Sequence, residues 1–301
     1  MKKEKIKVDF ADFWPYFIKN DNYFYNLLST QYDVEISNNK PDLLFHSVDY
    51  SGKEEYKKYL DGSTKKIFYT GENTKPNFTI SDGSFTFIKD SNDFNFRLPL
   101  WVLHINWFNK KYNKYRDQAF LINKNTLLSE KSKVNLRKRK FCSFVATKPL
   151  GRRKIFVPKL NNVKKVHCAG QLFNNTKNVI KGRGDQKWKI KYLKNFKFNI
   201  SFENAIGNGY VTEKIIHPMA VNTIPIYWGS SEVKNDFNPK SFIYANDYEN
   251  DDELIETILR IDSDKDMYYE MLKEPWFSDN EFPESIKPRN VLKFINKILN
   301  S

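Results

Sequence analysis

The sequence predicts an α/β protein made of two similar halves. Short apolar strands alternate with amphipathic helices on both sides of a basic stretch at residues 123–140. This alternation is typical of βαβ units, in which helices connect parallel strands. The composition, 40% hydrophobic and 29% charged among 301 residues, is that of a folded chain long enough for two domains. We expect the two halves to form a cleft between them.

The first half begins with a predicted strand at residues 5–13. An amphipathic helix is predicted at 15–32, because apolar residues recur there three and four positions apart. The basic stretch has few apolar residues and is interpreted as the connection that ends an N-terminal domain at residue 138. Three further short strands are predicted in this half: YDVEIS (32–37), PDLLFHSV (41–48) and KKIFYTGEN (65–73).

The second half is again α/β, and residues 139–275 are predicted to form a C-terminal domain. A helix is expected to begin in 151–162, with Pro158 interrupting or ending it. Residues 276–301 contain a further helix, which we expect to pack back on the N-terminal domain. The other elements are predicted strands at 140–147, 164–170, 196–204, 223–230 and 241–248, and helices at 251–262 and 287–299.

The net charge of +14 favours polyanions, phosphorylated ligands or anionic surfaces as partners. The densest basic run, 131–140, has no interleaved aromatic side chains, which argues against a nucleic-acid-binding surface. Cys142 and Cys168 provide neither a disulfide framework nor a metal-ligand spacing. The sequence contains no run of about 18 apolar residues and no apolar signal segment. We expect a cytoplasmic protein with at most peripheral contact at the inner face of a membrane.

Residues 201–216, SFENAIGNGYVTEKII, collect polar and charged side chains where a predicted strand ends. Loops at the carboxyl ends of parallel strands carry the ligand sites of α/β folds. Thr212 is placed to cap a helix that starts near Glu213, and a helix N-terminus with Lys214 beside it favours an anion. The segment predicts a phosphate site; the alternative is an ordinary helix with an exposed Glu-Lys pair. Pro218 is expected to kink or end that helix.

A longer ordered pattern surrounds this segment. FEN (202–204) is followed after five residues by YVTEK (210–214) and then by IPIYWGSSEVKNDFNPKSFI (224–243). Four further stretches belong to the same ordered pattern: FYTGENTKPNF (68–78), FRLPLW (96–101), FCSFVATKP (141–149) and KYLKNFKFNISFEN (191–204). The whole pattern resembles the α-1,3-fucosyltransferase family, of the bacterial, Helicobacter type, over about residues 65–275. The resemblance implies a GT-B glycosyltransferase, with two Rossmann-like domains facing a central cleft. It makes residues 1–138 the acceptor-binding domain and residues 139–275 the GDP-fucose-binding domain.

The resemblance also implies the reaction. An inverting enzyme would move L-fucose from GDP-β-L-fucose to the 3-hydroxyl of GlcNAc in N-acetyllactosamine-type acceptors, giving a Lewis x-type product, as in lipopolysaccharide biosynthesis or protein glycosylation. Glu72 matches the family's proposed general base. Glu213 matches a second carboxylate, which would touch the fucose or ribose hydroxyls.

The donor site implied by the resemblance contains two cations for the GDP diphosphate. Arg153 and Lys214 match them, and Arg152 competes with Arg153 for the first position. Glu203 is interpreted as structural. The complete predicted donor-binding set is Arg153, Asn204, Tyr210, Glu213 and Lys214.

We expect no required cofactor, because the cations replace a metal, and at most modest stimulation by Mn²⁺ or Mg²⁺. The sequence DSD (262–264) resembles a metal-binding motif of other glycosyltransferases but follows a helix outside the matched pattern. No heptad repeats or basic amphipathic tail follow residue 299, so a monomer or weak dimer is expected. Two alternatives stay open: a GT-B transferase with another nucleotide-sugar donor, and a basic nucleic-acid-binding protein.

Overall fold

The computed structural model describes residues 3–15, 17–50, 52–60, 62–89, 92–110, 121–131, 136–177, 179–180 and 186–301. The chain forms two compact units. The first comprises Met1–Leu103 and Glu284–Ser301, and the second comprises His104–Pro283. Both contain a parallel sheet, as the alternation of strands and helices predicts.

The first unit is built on a six-stranded parallel sheet with the strand order β2-β1-β3-β4-β5-β6. All five residues of β3 are buried, which is typical of a parallel strand covered on both faces. The sequence analysis missed β5 and β6, which are short and contain few of the residues that favour strands. The strands are β1 (Lys5–Ala11), β2 (Asp33–Ile36), β3 (Leu43–Ser47), β4 (Lys65–Tyr69), β5 (Gly83–Thr86) and β6 (Asn95–Arg97).

The first helix, α1, spans Tyr23–Gln31, so the predicted start at residue 15 was wrong. The side chain of Asn22 accepts a hydrogen bond from the Tyr25 N–H at 3.0 Å and caps the helix there. A good N-cap fixes the start of a helix more strongly than apolar spacing upstream of it.

The C-terminal helix, α10 (Pro288–Leu299), belongs to the first unit. The Phe294 ring lies 5.1 Å from the Phe85 ring of the sheet, measured between centroids. The Tyr32 hydroxyl donates to the Asn296 side chain at 3.0 Å. The helix α2 (Leu100–Leu103) and a 3-10 turn at Glu55–Tyr59 complete this unit.

The boundary between the units lies between Leu103 and His104, whereas the sequence analysis placed it after residue 138. The described residues 104–110 and 121–131 pack within the second unit. There the Trp107 and Phe282 rings lie 4.7 Å apart, and the Asn280 side chain donates to the Leu128 carbonyl at 2.8 Å. Residues 132–135 of the basic run lie outside the described residues. The elements of this segment are β7 (Ile105–Asn106), β8 (Ile122–Asn123) and α3 (Lys124–Leu128).

The second unit contains a five-stranded parallel sheet with the order β10-β9-β11-β12-β13. Its central strand β11 is buried over six of its seven residues. Each of the five strands was predicted. They are β9 (Lys140–Phe144), β10 (Val166–Cys168), β11 (Phe196–Phe202), β12 (Ile224–Trp228) and β13 (Ile243–Tyr244).

The helix α4 runs over Arg153–Val163 and continues through Pro158, so the expected break there was wrong. Proline removes one backbone hydrogen bond, but Phe156, Val157 and Leu160 bury the inner face of the helix against the sheet. That burial outweighs the loss of a single bond. The other helices are α5 (Gln186–Leu193), α6 (Ile216–Met219), α7 (Val233–Asp236), α8 (Asp251–Ser263) and α9 (Lys265–Lys273).

Candidate functional site

Glu203 follows the last residue of β11 and organises the loop at the carboxyl end of the sheet. Its carboxylate is fully buried and accepts hydrogen bonds from the Thr212 backbone N–H at 2.8 Å and from the Thr212 hydroxyl at 2.8 and 2.9 Å. The Tyr227 hydroxyl donates to it at 3.3 Å. A buried carboxylate needs this many donors, since an unpaired charge inside a protein is costly. This geometry fits the structural role assigned to Glu203 from the sequence.

The remaining partner of Glu203 is Lys214, whose ammonium lies 3.0 Å from the carboxylate. The side chain of Lys214 is 21% exposed. Burial alone would lower the pKa of Lys214, but Glu203 and Glu213 outweigh it and raise the pKa above its ordinary value. Lys214 is therefore held in its charged form at the carboxyl end of β11.

Thr212 does not cap a helix, and the predicted helix start near Glu213 was wrong. The side chain and N–H of Thr212 both bind Glu203, and the short helix α6 begins only at Ile216. Pro218 lies inside α6 and the helix ends at Met219. The local positive charge of the loop therefore comes from side chains and not from a long helix dipole.

Arg153 is the first residue of α4 and is 3% exposed. Its guanidinium donates to the Phe202 carbonyl at 3.2 Å from Nε and 2.5 Å from Nη2. Burial lowers the pKa of Arg153, while Glu203, Tyr210 and Glu213 act in the opposite direction. The structure thus brings Arg153 to the end of β11, beside the Glu203 loop.

Arg152 is engaged elsewhere. Its Nε lies 2.7 Å from the Asp251 carboxylate and its Nη2 lies 2.5 Å from the same oxygen. Its Nη1 donates to the Ala245 carbonyl at 3.0 Å. The Arg152 guanidinium is therefore paired with the start of α8, whereas that of Arg153 lies at the end of β11.

Asn204 and Tyr210 lie at the two ends of the glycine-rich turn. Asn204 is half-buried, whereas Tyr210 is only 4% exposed. Gly209 has a φ of +80°, which a residue with a side chain rarely adopts, and its N–H donates to the Ser230 hydroxyl at 2.9 Å. The turn is therefore fixed by β12 and its following loop.

Glu213 is half-buried among positive charges. Burial alone would raise its pKa, but neighbouring positive charges, of which Lys214 has the largest effect and which include Lys189, hold the pKa of Glu213 well below its ordinary value. The carboxylate is ionised at neutral pH and can accept hydrogen bonds from sugar hydroxyls.

His217 is buried, with an exposure of 1%. Its ring lies 5.3 Å from the His104 ring, measured between centroids. Within the described residues, neither ring nitrogen of His217 has a hydrogen-bond partner. Burial, followed by the charge of Lys189, holds the pKa of His217 well below its ordinary value. The ring is therefore neutral at physiological pH.

The sequence analysis missed Lys189, which lies on α5 and interacts electrostatically with Glu213, Lys214 and Arg153. The chain contains many lysines here, and Lys189 lies outside the stretches that match the family pattern. The available signal was the helical spacing, because Lys189 shares a face with the buried Leu193 four residues later.

The predicted base, Glu72, lies in the first unit, while the other predicted site residues lie in the second. It follows the carboxyl end of β4 and is half-buried. Its N–H donates to the Thr70 hydroxyl at 3.0 Å, and the Tyr50 hydroxyl donates to its carboxylate at 3.4 Å. These contacts hold the carboxylate at the edge of the sheet where parallel folds place their ligands.

The two aspartates of DSD have structural partners. Asp262 pairs with Lys164 and, at 2.8 Å, with Lys197. Asp264 caps α9 by accepting from two N–H groups at 2.9 and 3.0 Å. Across the described residues, no group of three or more histidine, cysteine, aspartate or glutamate side chains is arranged to hold a metal ion.

Among the described residues, no helix combines the length and the apolar character that crossing a membrane requires.

Two family profiles match the chain. Residues 132–288 match glycosyltransferase family 10 (fucosyltransferase), C-terminal part, and residues 8–104 match the N-terminal domain of alpha-(1,3)-fucosyltransferase FucT. The alpha-(1,3)-fucosyltransferase FucT of Helicobacter pylori is 33% identical over 302 aligned residues, which cover 91% of this chain. The chain spans 61% of the length of that relative.

Solved structures agree with the profiles. A crystal structure of an alpha1,3-fucosyltransferase is 30% identical, covers 99% of this chain and 91% of its own, and superposes with a TM-score of 0.77. An alpha1,3-fucosyltransferase crystallised with GDP-fucose is also 30% identical and gives a TM-score of 0.75 over 100% of this chain and 92% of its own. These likenesses and the two parallel sheets confirm the predicted GT-B-type α/β fold. The chain therefore belongs to glycosyltransferase family 10, the fucosyltransferases.

Proposed function

We propose that this protein transfers L-fucose from GDP-β-L-fucose to the 3-hydroxyl of GlcNAc in N-acetyllactosamine-type acceptors, with inversion at the anomeric carbon. The observation that carries the proposal is the arrangement at the carboxyl end of β11. Arg153, Lys214 and an ionised Glu213 lie together there, in a chain 30% identical over its whole length to a fucosyltransferase crystallised with GDP-fucose.

The donor is held, in this proposal, by complementary charges. Arg153 offers a planar set of donors suited to phosphate oxygens, and Lys214 adds a point charge. Glu213 accepts from hydroxyls of the fucose or ribose, while Asn204 and Tyr210 shape or contact the nucleotide end. Arg153 is favoured over Arg152 because the latter is already paired with Asp251.

The chemistry is a single displacement. The acceptor hydroxyl oxygen forms a bond to the anomeric carbon, and the bond from that carbon to the diphosphate breaks, so that GDP leaves with the electron pair. Glu72 takes the proton from the acceptor hydroxyl. Arg153 and Lys214 stabilise the negative charge that develops on the leaving diphosphate.

We also propose that transfer needs no divalent metal. Fixed cations at the leaving group stabilise its charge without a metal ion, and the DSD carboxylates are engaged with lysines and with the start of α9. Mn²⁺ or Mg²⁺ would give at most modest stimulation, by helping GDP to leave. Cytoplasmic location, peripheral membrane contact and a monomer or weak dimer stay predictions.

A panel of nucleotide sugars tests the donor assignment. Transfer from GDP-fucose, with little from GDP-mannose or UDP-sugars, is the expected result. Transfer from another donor but not from GDP-fucose would favour the alternative of a GT-B transferase with another nucleotide-sugar donor. Tight binding of RNA or DNA without any sugar transfer would favour the nucleic-acid-binding alternative.

A further inference from the structure

The charges that surround the end of β11 in the second unit nearly cancel if only the predicted residues are counted. Arg153 and Lys214 contribute two positive charges, and Glu203 and Glu213 contribute two negative charges. Lys214 is ion-paired with Glu203 at 3.0 Å. A site with balanced charges has little attraction for a diphosphate. The proposed donor therefore calls for a further source of positive charge.

Lys189 is placed to supply that charge. It lies on α5, which packs against α6, the short helix that follows Glu213 and Lys214. It is half-buried, whereas Lys191 on the same helix is exposed. Lys189 shares its helix face with Leu193, which is fully buried, so its stem is directed inward with that residue.

Within the described residues, the charged groups that act most strongly on Lys189 belong to this cluster. Lys189 interacts with Glu213, Lys214, Arg153 and Glu203, in that order of strength. It also contributes to the electrostatic environment of His217, whose ring is buried beside His104. Its charge is therefore directed at the predicted donor residues.

We propose that Lys189 is a third donor-site cation, which supplies the excess positive charge that binds the diphosphate of the nucleotide. This inference rests on the proposed function, since it takes a nucleoside diphosphate as the ligand. It assigns Lys189 a binding role and leaves proton transfer in the reaction to Glu72.

The environment of Lys189 predicts that the protein takes up protons when the diphosphate binds. Burial, together with the positive charges of Lys214 and Arg153, lowers the pKa of Lys189 to about 8, although Glu213 and Glu203 act against this. Near pH 8 about half of the free protein then carries the charge. A bound diphosphate favours the charged form, so binding is accompanied by uptake of about half a proton at that pH.

Calorimetric titration with GDP at pH 8, in two buffers of different ionisation enthalpy, tests the inference. The variants are Lys189→Gln and Lys189→Arg, with Lys191→Gln as the matched control on the exposed side of α5. Guanosine serves as the uncharged ligand. We expect Lys189→Gln to weaken GDP binding about tenfold or more and to leave guanosine binding unchanged. Lys189→Arg should retain GDP affinity within about threefold but lose the proton uptake, because arginine does not titrate at this pH.

Equal GDP affinity in wild type, Lys189→Gln and Lys191→Gln would overturn the inference and leave the proposed function intact. Undiminished proton uptake in Lys189→Arg would overturn it as well, and this reading stands even if Lys189→Gln fails to fold. Failure of the wild type to bind GDP at all would contradict the proposed function and the inference together.

Discussion

Replacing Glu203 by glutamine tests whether the loop at the end of β11 depends on a buried charge. The carboxylate is fully buried and binds Thr212 through its N–H and hydroxyl, Tyr227 through its hydroxyl, and Lys214 through its ammonium. Glutamine keeps one acceptor oxygen but replaces the other by an amide that cannot accept. We expect the Lys214 contact to be lost and one neighbouring donor to lose its partner.

The magnitude follows from the number and kind of these contacts. A hydrogen bond to a charged group contributes about 1.5–3 kcal/mol, and leaving a buried polar group unpaired costs about 1–3 kcal/mol. We expect Glu203→Gln to lower the free energy of unfolding by about 2–4 kcal/mol. Glu203→Ala, which removes both acceptor oxygens, should lower the free energy of unfolding by about 3–5 kcal/mol.

Urea denaturation, followed by circular dichroism, gives these values for both variants. A double-mutant cycle with Lys214→Met isolates the ion pair, for which we expect a coupling energy of about 2 kcal/mol. A change of less than about 0.5 kcal/mol in Glu203→Gln would refute the reasoning, since surface substitutions commonly have effects of that size.

Three further predictions concern binding, pH and metal. Arg153→Ala should weaken GDP binding about tenfold to a hundredfold. Arg152→Ala should leave GDP binding unchanged but lower the stability of the protein, because it breaks the contact with α8. Calorimetry measures the binding and denaturation the stability, and the reverse pattern would show that the wrong arginine was chosen. Burial lowers the pKa of His46 to about 4 from 6.5, so unfolded chains bind more protons below pH 6.5 and stability falls as the pH drops towards 4. Between pH 7 and pH 5, His46 should lower the free energy of unfolding by about 2 kcal/mol. Denaturation curves of a folded His46→Gln variant would not show this loss. Transfer should continue in EDTA, and the folded double variant Asp262→Ala, Asp264→Ala should turn over nearly as fast as the wild type. Loss of transfer in EDTA and its restoration by Mn²⁺ would contradict our account.

The sequence was sufficient to predict the strands of the second sheet and the charged segment that follows β11. Apolar runs bounded by polar residues predicted all five strands, and the segment after β11 is a charge-rich loop in which Glu203 and Thr212 are buried and bonded to each other. These features depend on local pattern and on the rule that ligands bind beyond the carboxyl ends of parallel strands.

Other features depend on tertiary contacts that no local pattern contains. Pro158 is tolerated because α4 buries three apolar side chains. Thr212 binds Glu203 instead of capping a helix, a contact that joins residues nine positions apart in a folded loop. Lys189 was missed because its role depends on α5 packing beside α6. The unit boundary differs because Trp107 and Leu128 contact residues more than a hundred positions further along the chain.

The most direct test of the central claim is incubation of the protein with GDP-fucose and an array of acceptor oligosaccharides, with the product linkage determined by NMR. The account predicts α-linked fucose on the 3-hydroxyl of GlcNAc in N-acetyllactosamine. It also predicts that Glu72→Gln abolishes this product while its affinity for GDP stays nearly intact, because the amide keeps the shape of the side chain but cannot take a proton. Fucose on another hydroxyl would contradict the acceptor assignment. Near-normal turnover by Glu72→Gln would contradict the mechanism, and no fucosylated product from the wild type on any acceptor would contradict the proposed function itself.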